Sequence, residues 1–142
     1  LDREGSLEAV CHRLADLVRT SLGDLNSRRQ RSVRKVVEMA CEYLGRNYSR
    51  ADLSLAGVAE HLGLSPAYFS RLFHRETGES YVDRVIGLRI AEAKRLLRTT
   101  TTRIADIGAA VGYQNPQYFC TIFRRIAGSS PAEFREHARE AP

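Results

Sequence analysis

One element of 13 residues occurs twice in this chain, and the repeat limits the folds that the chain can adopt. The stretches 66–78 and 116–128 are identical at six positions, and their first residues lie 50 positions apart. Both begin with Pro-x-Tyr-Phe and end with Gly. A Pro that follows Ser65 or Asn115 is typical of the first residue of a helix, and Gly is typical of the residue that ends one. The repeat therefore predicts two copies of one helical unit.

Helical periodicity extends over nearly the whole chain, and strand signals are almost absent. The polar stretch 23–32 predicts a linker after an N-terminal helix, and a second helix is expected to begin at Ser32 as its N-cap. Ser80 and Ser130 begin sequences that resemble capping boxes. Further helices are predicted over residues 54–62, 66–76, 81–98, 103–111, 116–127 and 131–139. The pattern predicts an all-α protein.

The N-terminal helix is predicted to be amphipathic, with Leu7, Val10, Leu14 and Leu17 at heptad a and d spacing. Such a stripe must be buried, so we expect residues 7–22 to pack on a second copy of the chain or on an upstream domain. The chain starts without Met, and this predicts a fragment of a longer protein. We divide it into a helix and linker over residues 1–30 and a second domain over residues 31–142.

In each copy of the repeat, a short helix, a Gly-containing turn and a second helix predict a helix-turn-helix. The apolar residues of the second helices predict inward faces, formed by Phe69, Leu72 and Phe73 in the first copy and by Phe119, Ile122, Phe123 and Ile126 in the second. The opposite faces carry no acidic residue. They are formed by Ala67, Ser70, Arg71 and His74 in the first copy and by Gln117, Cys120, Thr121 and Arg124 in the second.

These outer faces suit the major groove of DNA, where negative charge is excluded and hydrogen-bond donors are needed. The fork of Arg71 matches guanine O6 and N7, and the amide of Gln117 matches adenine. Residues 31–142 hold 17 basic and 12 acidic residues, so the net charge of +5 belongs to the part with the repeat. That charge favours a polyanionic partner. The alternative is a helical protein-interaction or RNA-binding module that uses the same basic face.

Other classes of function lack their usual signatures. The four His residues are scattered, and no H-E-x-x-H, C-x-x-C or Gly-rich phosphate loop is found, so we expect no enzyme. Three widely spaced cysteines predict neither a disulfide framework nor a zinc site, and no cofactor is expected; Cys11 and Cys41 are predicted to be small core residues. No apolar run approaches the ~18 residues of a membrane span, and no signal peptide is visible. A cytoplasmic protein is therefore predicted.

The long helix over residues 81–98 explains the distance between the two copies. Its 18 residues span roughly 27 Å at 1.5 Å per residue. Recognition helices in successive major-groove segments lie about 34 Å apart. A rigid helix with its flanking turns has the right order of length, so one chain is predicted to cover two turns of DNA.

The region from Val33 to Arg139 resembles the DNA-binding domain of AraC/XylS-type bacterial transcription regulators. The resemblance rests on LSLAGVAEHLGLSPAYFSRLFHRETG, LRIAEAKRLL and IADIGAAVGYQNPQYFCTIFRRIAGSSPAEFRE, which occur in the family's order. It implies about seven helices in two helix-turn-helix subdomains joined by a long linker helix, here preceded by one extra N-terminal helix. It also implies sequence-specific promoter binding and activation through RNA polymerase, with a sensory or receiver domain elsewhere in the protein.

The resemblance also implies roles for individual residues. Bases would be read by Ala67, Ser70, Arg71 and, on the same face, His74 in the first unit, and by Gln117, Tyr118 and Thr121 in the second. Phosphates would be bound by Ser65, Arg75, Asn115, Arg124 and Arg125. Gly108 stands where the family usually has Ala, and we expect it to loosen its helix by up to ~1 kcal/mol. Thr121 replaces a frequent Arg and Cys120 a frequent Ser, so the second unit is expected to contribute less base-specific energy.

Overall fold

The structure, a computed structural model, describes residues 2–141, with side chains from residue 7 onward. Within residues 2–141 it contains seven α-helices and no β-strand. The helices are α1 (Asp2–Asn47), α2 (Leu55–His61), α3 (Pro66–Thr77), α4 (Tyr81–Thr99), α5 (Ile104–Val111), α6 (Pro116–Ala127) and α7 (Pro131–Glu140). Helices α2 and α3 form the first helix-turn-helix, and α5 and α6 form the second. The predicted all-α class with two such units is confirmed.

The N-terminal part of the chain differs from its prediction. Stretch 23–32 lies inside α1, so the predicted linker is wrong, and Ser32 is not an N-cap. The extra N-terminal helix is the first part of α1 and not a separate element. The stretch is polar but contains no Pro, and Leu, Arg and Gln are good helix formers, so polarity alone does not end the helix. The compact units of the chain divide between Val36 and Val37.

The first core lies between the end of α1, the first helix-turn-helix and the start of α4. Ala40 and Leu44 of α1 are fully buried in it, together with Phe69 and Phe73 of α3. The complete set of buried residues is Ala40, Leu44, Val58, Ala59, Phe69, Phe73, Tyr81 and Val85. Since α1 supplies two of these residues, the first helix-turn-helix depends on α1 for a closed core.

The second core lies between the remainder of α4 and the second helix-turn-helix. Its buried residues are Ile90, Ala93, Leu97, Ile107, Val111, Tyr113, Phe119, Ile122 and Phe123, and Phe134 of α7 packs against them. Helix α4 contributes Val85 to the first core and Ile90 to the second. The linker helix is therefore shared between the two cores.

Helix ends agree with the sequence signals. Ser65 Oγ accepts a hydrogen bond from the Tyr68 amide at 3.2 Å, and Asn115 Oδ1 accepts from the Tyr118 amide at 3.1 Å. Ser80 and Ser130 cap α4 and α7 in the same way. Helices α3 and α6 end at glycines with φ values of 78° and 82°, in the left-handed region that favours glycine.

Several single-residue predictions are wrong. Ile126 is 49% exposed and does not point inward. The last fully buried residue of α6 is Phe123, and in the final turn of the helix Ala127 packs against the second core instead of Ile126. Cys11 is exposed and is not a core residue, whereas Cys41 is half-buried against the first core.

Gly108 has a role in helix packing that the sequence did not reveal. It is buried in α5, and a Cβ atom there would lie 2.8 Å from Phe119 Cδ2 and 2.9 Å from Phe119 Cγ. Ordinary carbon–carbon contacts are about 3.5–4.0 Å. The missing side chain lets α5 and α6 approach closely, so the expectation that Gly108 only loosens its helix is incomplete.

Candidate DNA-binding surface

The outer face of α3 is formed by side chains that avoid the first core. Phe69, Leu72 and Phe73 are buried on the inner face of the helix. The predicted base-reading residues Ala67, Ser70, Arg71 and His74 are all exposed. The structure thus brings these four residues together on one surface that ends at the N-cap Ser65.

The outer face of α6 has the same arrangement with different chemistry. Gln117, Tyr118 and Thr121 are exposed, while Phe119, Ile122 and Phe123 are buried. The Thr121 hydroxyl donates to the Gln117 carbonyl at 3.0 Å, so its oxygen remains as an acceptor. Tyr118 is 53% exposed, and its ring packs edge-on against Tyr113 with the centroids 5.7 Å apart. That contact holds Tyr118 at the start of the helix.

One predicted outer residue lies elsewhere. Cys120 is only half-buried and packs against the second core, so the prediction that it faces outward is wrong. Helix α6 places residue 120 at the edge between the inner and outer faces, one position after Phe119. The outer face of α6 therefore consists of Gln117, Thr121 and Arg124, with Tyr118 beside them.

The cationic side chains near both helices are exposed. Arg75 makes an ion pair with Glu76 at 3.2 Å. Among the ion pairs found in residues 7–141, none involves Arg71, Arg124 or Arg125. Exposed ion pairs are weak, and an anionic ligand competes with Glu76 for Arg75 at little cost. Helix α6 has no acidic residue, so its positive charge is uncompensated within the helix.

Both N-caps retain a donor after capping. The Ser65 oxygen accepts from an amide, and its hydroxyl hydrogen is available. Asn115 Oδ1 accepts from the Gln117 and Tyr118 amides at 2.9 and 3.1 Å, which leaves the side-chain NH₂ group to donate. Positive helix N-termini with such donors suit phosphate oxygens.

Two residues near this surface were missed by the sequence reasoning. Tyr68 is 38% exposed and occupies the position in α3 that Tyr118 occupies in α6. The repeat itself carries that signal, because both tyrosines belong to Pro-x-Tyr-Phe. Arg89 of α4 lies within the motif LRIAEAKRLL, but its partners are distant in sequence.

Arg89 contacts residues on both sides of the linker helix. Its Nε donates to the Tyr48 carbonyl at 2.7 Å, and its Nη2 donates to the Arg50 carbonyl at 2.9 Å. The guanidinium carbon also lies 4.9 Å from the centroid of the Tyr113 ring. Burial raises the pKa of Tyr113, and the positive charge of Arg89 opposes that rise. Arg89 therefore contacts both the segment between α1 and α2 and the second helix-turn-helix.

A cleft of ≈ 330 Å³ lies between the segment that precedes α2, the first half of α4 and the second helix-turn-helix. Leu53 lines it from that segment, Tyr81 and Arg89 line it from α4, and Tyr113 and Tyr118 line it from the second helix-turn-helix.

Residues 7–141 contain no group of three or more His, Cys, Asp and Glu side chains that is arranged to hold a metal ion. None of the helices described is long and apolar enough to cross a membrane.

Comparison with known proteins relates this surface to a family. The model of a helix-turn-helix domain matches residues 58–137. The chain is 38% identical over 104 residues to the arabinose operon regulatory protein of Escherichia coli, a match that covers 73% of this chain and 36% of that protein. It is 32% identical over 103 residues to the bifunctional transcriptional activator/DNA repair enzyme AdaA of Bacillus subtilis, covering 72% of this chain and 48% of AdaA. The chain thus matches less than half the length of each of these two relatives.

Solved structures with the same fold are also found. The C-terminal domain of AraT, a response regulator from Geobacillus stearothermophilus, has a TM-score of 0.71 at 36% identity, covering 72% of this chain and 84% of that one. The DNA-binding domain of AdpA, solved in complex with a target DNA, has a TM-score of 0.64 at 29% identity, covering 75% of this chain and 92% of that one.

Proposed function

Because the chain belongs to the AraC-type helix-turn-helix family of bacterial transcription regulators, we propose that it binds double-stranded DNA sequence-specifically at promoters. The observation that carries this proposal is the pair of exposed, acid-free outer faces on α3 and α6. Each face has the width of a single helix, which is what the major groove admits. Helix α4 has 19 residues, or about 28 Å of length, and suits recognition helices in successive groove segments.

In this proposal, bases are read mainly by the side chains with two hydrogen-bonding groups. Arg71 recognises guanine through O6 and N7, and Gln117 recognises adenine through N6 and N7. Ala67, Ser70 and His74 complete the first reading face, and Tyr118 and Thr121 complete the second. Thr121 has already donated its hydroxyl hydrogen, so it contributes as an acceptor or through its methyl group. The first helix-turn-helix therefore supplies the stronger base discrimination.

Phosphate binding is assigned to the cations and N-caps that border these faces. Arg75, Arg124 and Arg125 are exposed beyond the base-reading residues, and Ser65 and Asn115 present donors at the two helix starts. Such contacts fix the position of the protein on the duplex without reading sequence. They also release counterions, so binding must weaken as salt rises.

We further propose that this chain is the DNA-binding part of a longer protein, because it matches less than half the length of two of its relatives. We assign residues 31–142 to DNA binding and residues 1–30 to contacts outside that domain, either with a sensory or receiver domain or with another copy. Activation through RNA polymerase, in the bacterial cytoplasm, is the regulatory outcome that we propose. We assign the chain no catalytic activity and no cofactor.

The decisive experiment is selection of bound sites from random duplex DNA, followed by titration of the selected site at several salt concentrations. We expect one preferred sequence with two parts, and a slope of log affinity against log salt of about −0.9 per phosphate contacted. Matched RNA of the same sequence serves as the control. Equal binding to RNA, or a flat salt response, would contradict the proposal and favour an RNA-binding or protein-interaction module.

We also propose a second copy of the chain as the partner of the exposed stripe in α1. Leu7, Val10, Leu14 and Leu17 are between 49% and 65% exposed, and Val18, Leu22 and Leu25 extend the same apolar surface. We place the seam of a parallel pair at Leu7, Cys11, Leu14 and Val18, which moves Val10 and Leu17 from the predicted a and d positions to its edge. Leu17 then faces Leu22 of the partner subunit, and Asp24 faces Arg29 of the partner subunit. These pairs match in polarity and charge, which favours parallel, in-register pairing.

Cys11 provides a direct test of this pairing. It is exposed on the stripe, whereas Cys41 and Cys120 are half-buried. A parallel, in-register pair brings Cys11 next to Cys11 of the partner subunit, so mild oxidation should give a covalent dimer that Cys11→Ser abolishes. Sedimentation should show a dimer without oxidation. A chain that stays monomeric at high concentration and forms no cross-link would exclude a second copy as the partner. An upstream domain would then be the remaining partner for the stripe.

A further inference from the structure

The linker helix α4 passes from the first core to the second between Val85 and Ile90. Val85 is the last residue of α4 buried in the first core, and Ile90 is the first buried in the second. Gly87 lies between them, exposed, with no atom within 4 Å of the position of a Cβ atom. Glycine is less favourable than Ala inside a helix. The neighbours of Gly87 are packed, because Ile86 lies against the second core and Leu88 lies against the first.

Arg89 lies in this same segment and adds polar contacts to distant parts of the chain. Its two hydrogen bonds reach the Tyr48 and Arg50 carbonyls, 41 and 39 residues earlier in the chain. These carbonyls follow the C-terminal end of α1, which suits a cation because helix C-termini carry partial negative charge. The bonds fasten α4 to the segment between α1 and α2, which leads into the first helix-turn-helix.

The Arg89 guanidinium also contacts the second helix-turn-helix. The group lies over the Tyr113 ring, which is buried in the second core. It also lies close to Gly112, where a Cβ atom would be only 2.9 Å from the guanidinium carbon. Gly112 has a φ of 114°, so both its backbone conformation and this contact favour glycine. A planar, permanently charged group can make the in-plane bonds and the stacking contact at once.

We propose that Arg89 is a positioning residue that fixes the spacing and rotational phase of the two recognition helices on DNA. The proposal rests on the DNA-binding function proposed above. Adding one base pair between the two parts of a site moves them apart by about 3.4 Å and rotates them by about 35°. A rigid pair of recognition helices rejects such a change, and a pair that lacks the Arg89 contacts tolerates it better.

The test compares Arg89→Met with Arg135→Met as a matched control. Arg135 of α7 donates to the Leu97 and Thr100 carbonyls at 3.3 and 3.2 Å, so it makes the same kind of contact entirely within the second helix-turn-helix region. Affinity is measured by fluorescence anisotropy on the selected duplex, on duplexes with one base pair added or removed between the two parts, and on duplexes with one part scrambled. Circular dichroism verifies that each variant is folded.

We expect the wild-type chain and Arg135→Met to lose at least about tenfold in affinity when the spacing changes, a loss of about 1.4 kcal/mol. Arg89→Met should lose less than about threefold on the same change, a loss of under about 0.7 kcal/mol, while its affinity for duplexes with one part scrambled stays within about twofold of wild type. A full spacing penalty in Arg89→Met, or equal losses on intact and scrambled duplexes, would overturn the role of Arg89. Absence of any sequence-selective binding by the wild-type chain would instead contradict the proposed function.

Discussion

The close approach of α5 and α6 makes a sharp prediction for Gly108→Ala. Alanine in a helix is favoured over glycine by roughly 0.5–1 kcal/mol, so propensity alone predicts a more stable protein. The new methyl group would lie 2.8, 2.9 and 3.2 Å from Cδ2, Cγ and Cβ of Phe119. Contact at about 3.5–4.0 Å requires the two helices to separate by several tenths of an ångström, and overpacking of this kind costs about 1–3 kcal/mol.

The control is Gly87→Ala, which makes the same chemical change in α4 with no atom within 4 Å. Both variants receive the same gain in helix propensity, so the difference between their unfolding free energies isolates the packing cost of about 1–3 kcal/mol. We expect Gly87→Ala to be more stable than wild type by roughly 0.5–1 kcal/mol and Gly108→Ala to be less stable than wild type. Guanidinium chloride unfolding followed by circular dichroism measures both, with equal m-values required for the comparison.

One result would refute this reasoning. The first helix-turn-helix shows that an alanine can be accommodated at this position of the unit. Ala59 occupies the position in α2 that Gly108 occupies in α5, and it is fully buried in the first core with Phe69. If Gly108→Ala gained as much stability as Gly87→Ala, the second helix-turn-helix would tolerate the wider separation that an alanine requires. The close contact with Phe119 would then have no energetic role.

Three further outcomes are expected. Arg71→Ala should lose about 1–3 kcal/mol of affinity for the selected site and relax its preference at one base pair, as repeated site selection would reveal; an unchanged preference would contradict the assigned reading face. Arg75→Ala should weaken binding evenly across sequences and lower the magnitude of the salt slope by about one, and a sequence-dependent loss would show that Arg75 reads bases. Deletion of residues 1–30 should leave a folded monomer with the same site preference, because Ala40 and Leu44 of the first core are retained; an unfolded product in sedimentation and circular dichroism would contradict the domain division.

The sequence by itself determined most helix boundaries and most residues of the exposed outer faces of α3 and α6. Ser65 before Pro66 and Asn115 before Pro116 specify helix starts through capping bonds that span three residues, and Gly78 and Gly128 specify helix ends through a backbone conformation that other residues rarely adopt. These rules act within one helical turn, so they can be read from neighbouring residues. The repeat then identified two equivalent helices whose outer residues are exposed.

Only the tertiary structure decided how those helices are supported. The division of α4 between two cores, the close contact of Gly108 with Phe119, and the exposure of Ile126 depend on where each core ends in space. Periodicity assigns a residue to a face of its helix. It cannot show how far along the helix the neighbouring helices of the core extend. Arg89 is the clearest case, because its carbonyl partners lie 41 and 39 residues away and no local pattern links residues at such a distance. Local chemistry therefore specifies helices α3 and α6, and the distant contacts of one arginine connect α4 with the segment before α2 and with the second helix-turn-helix.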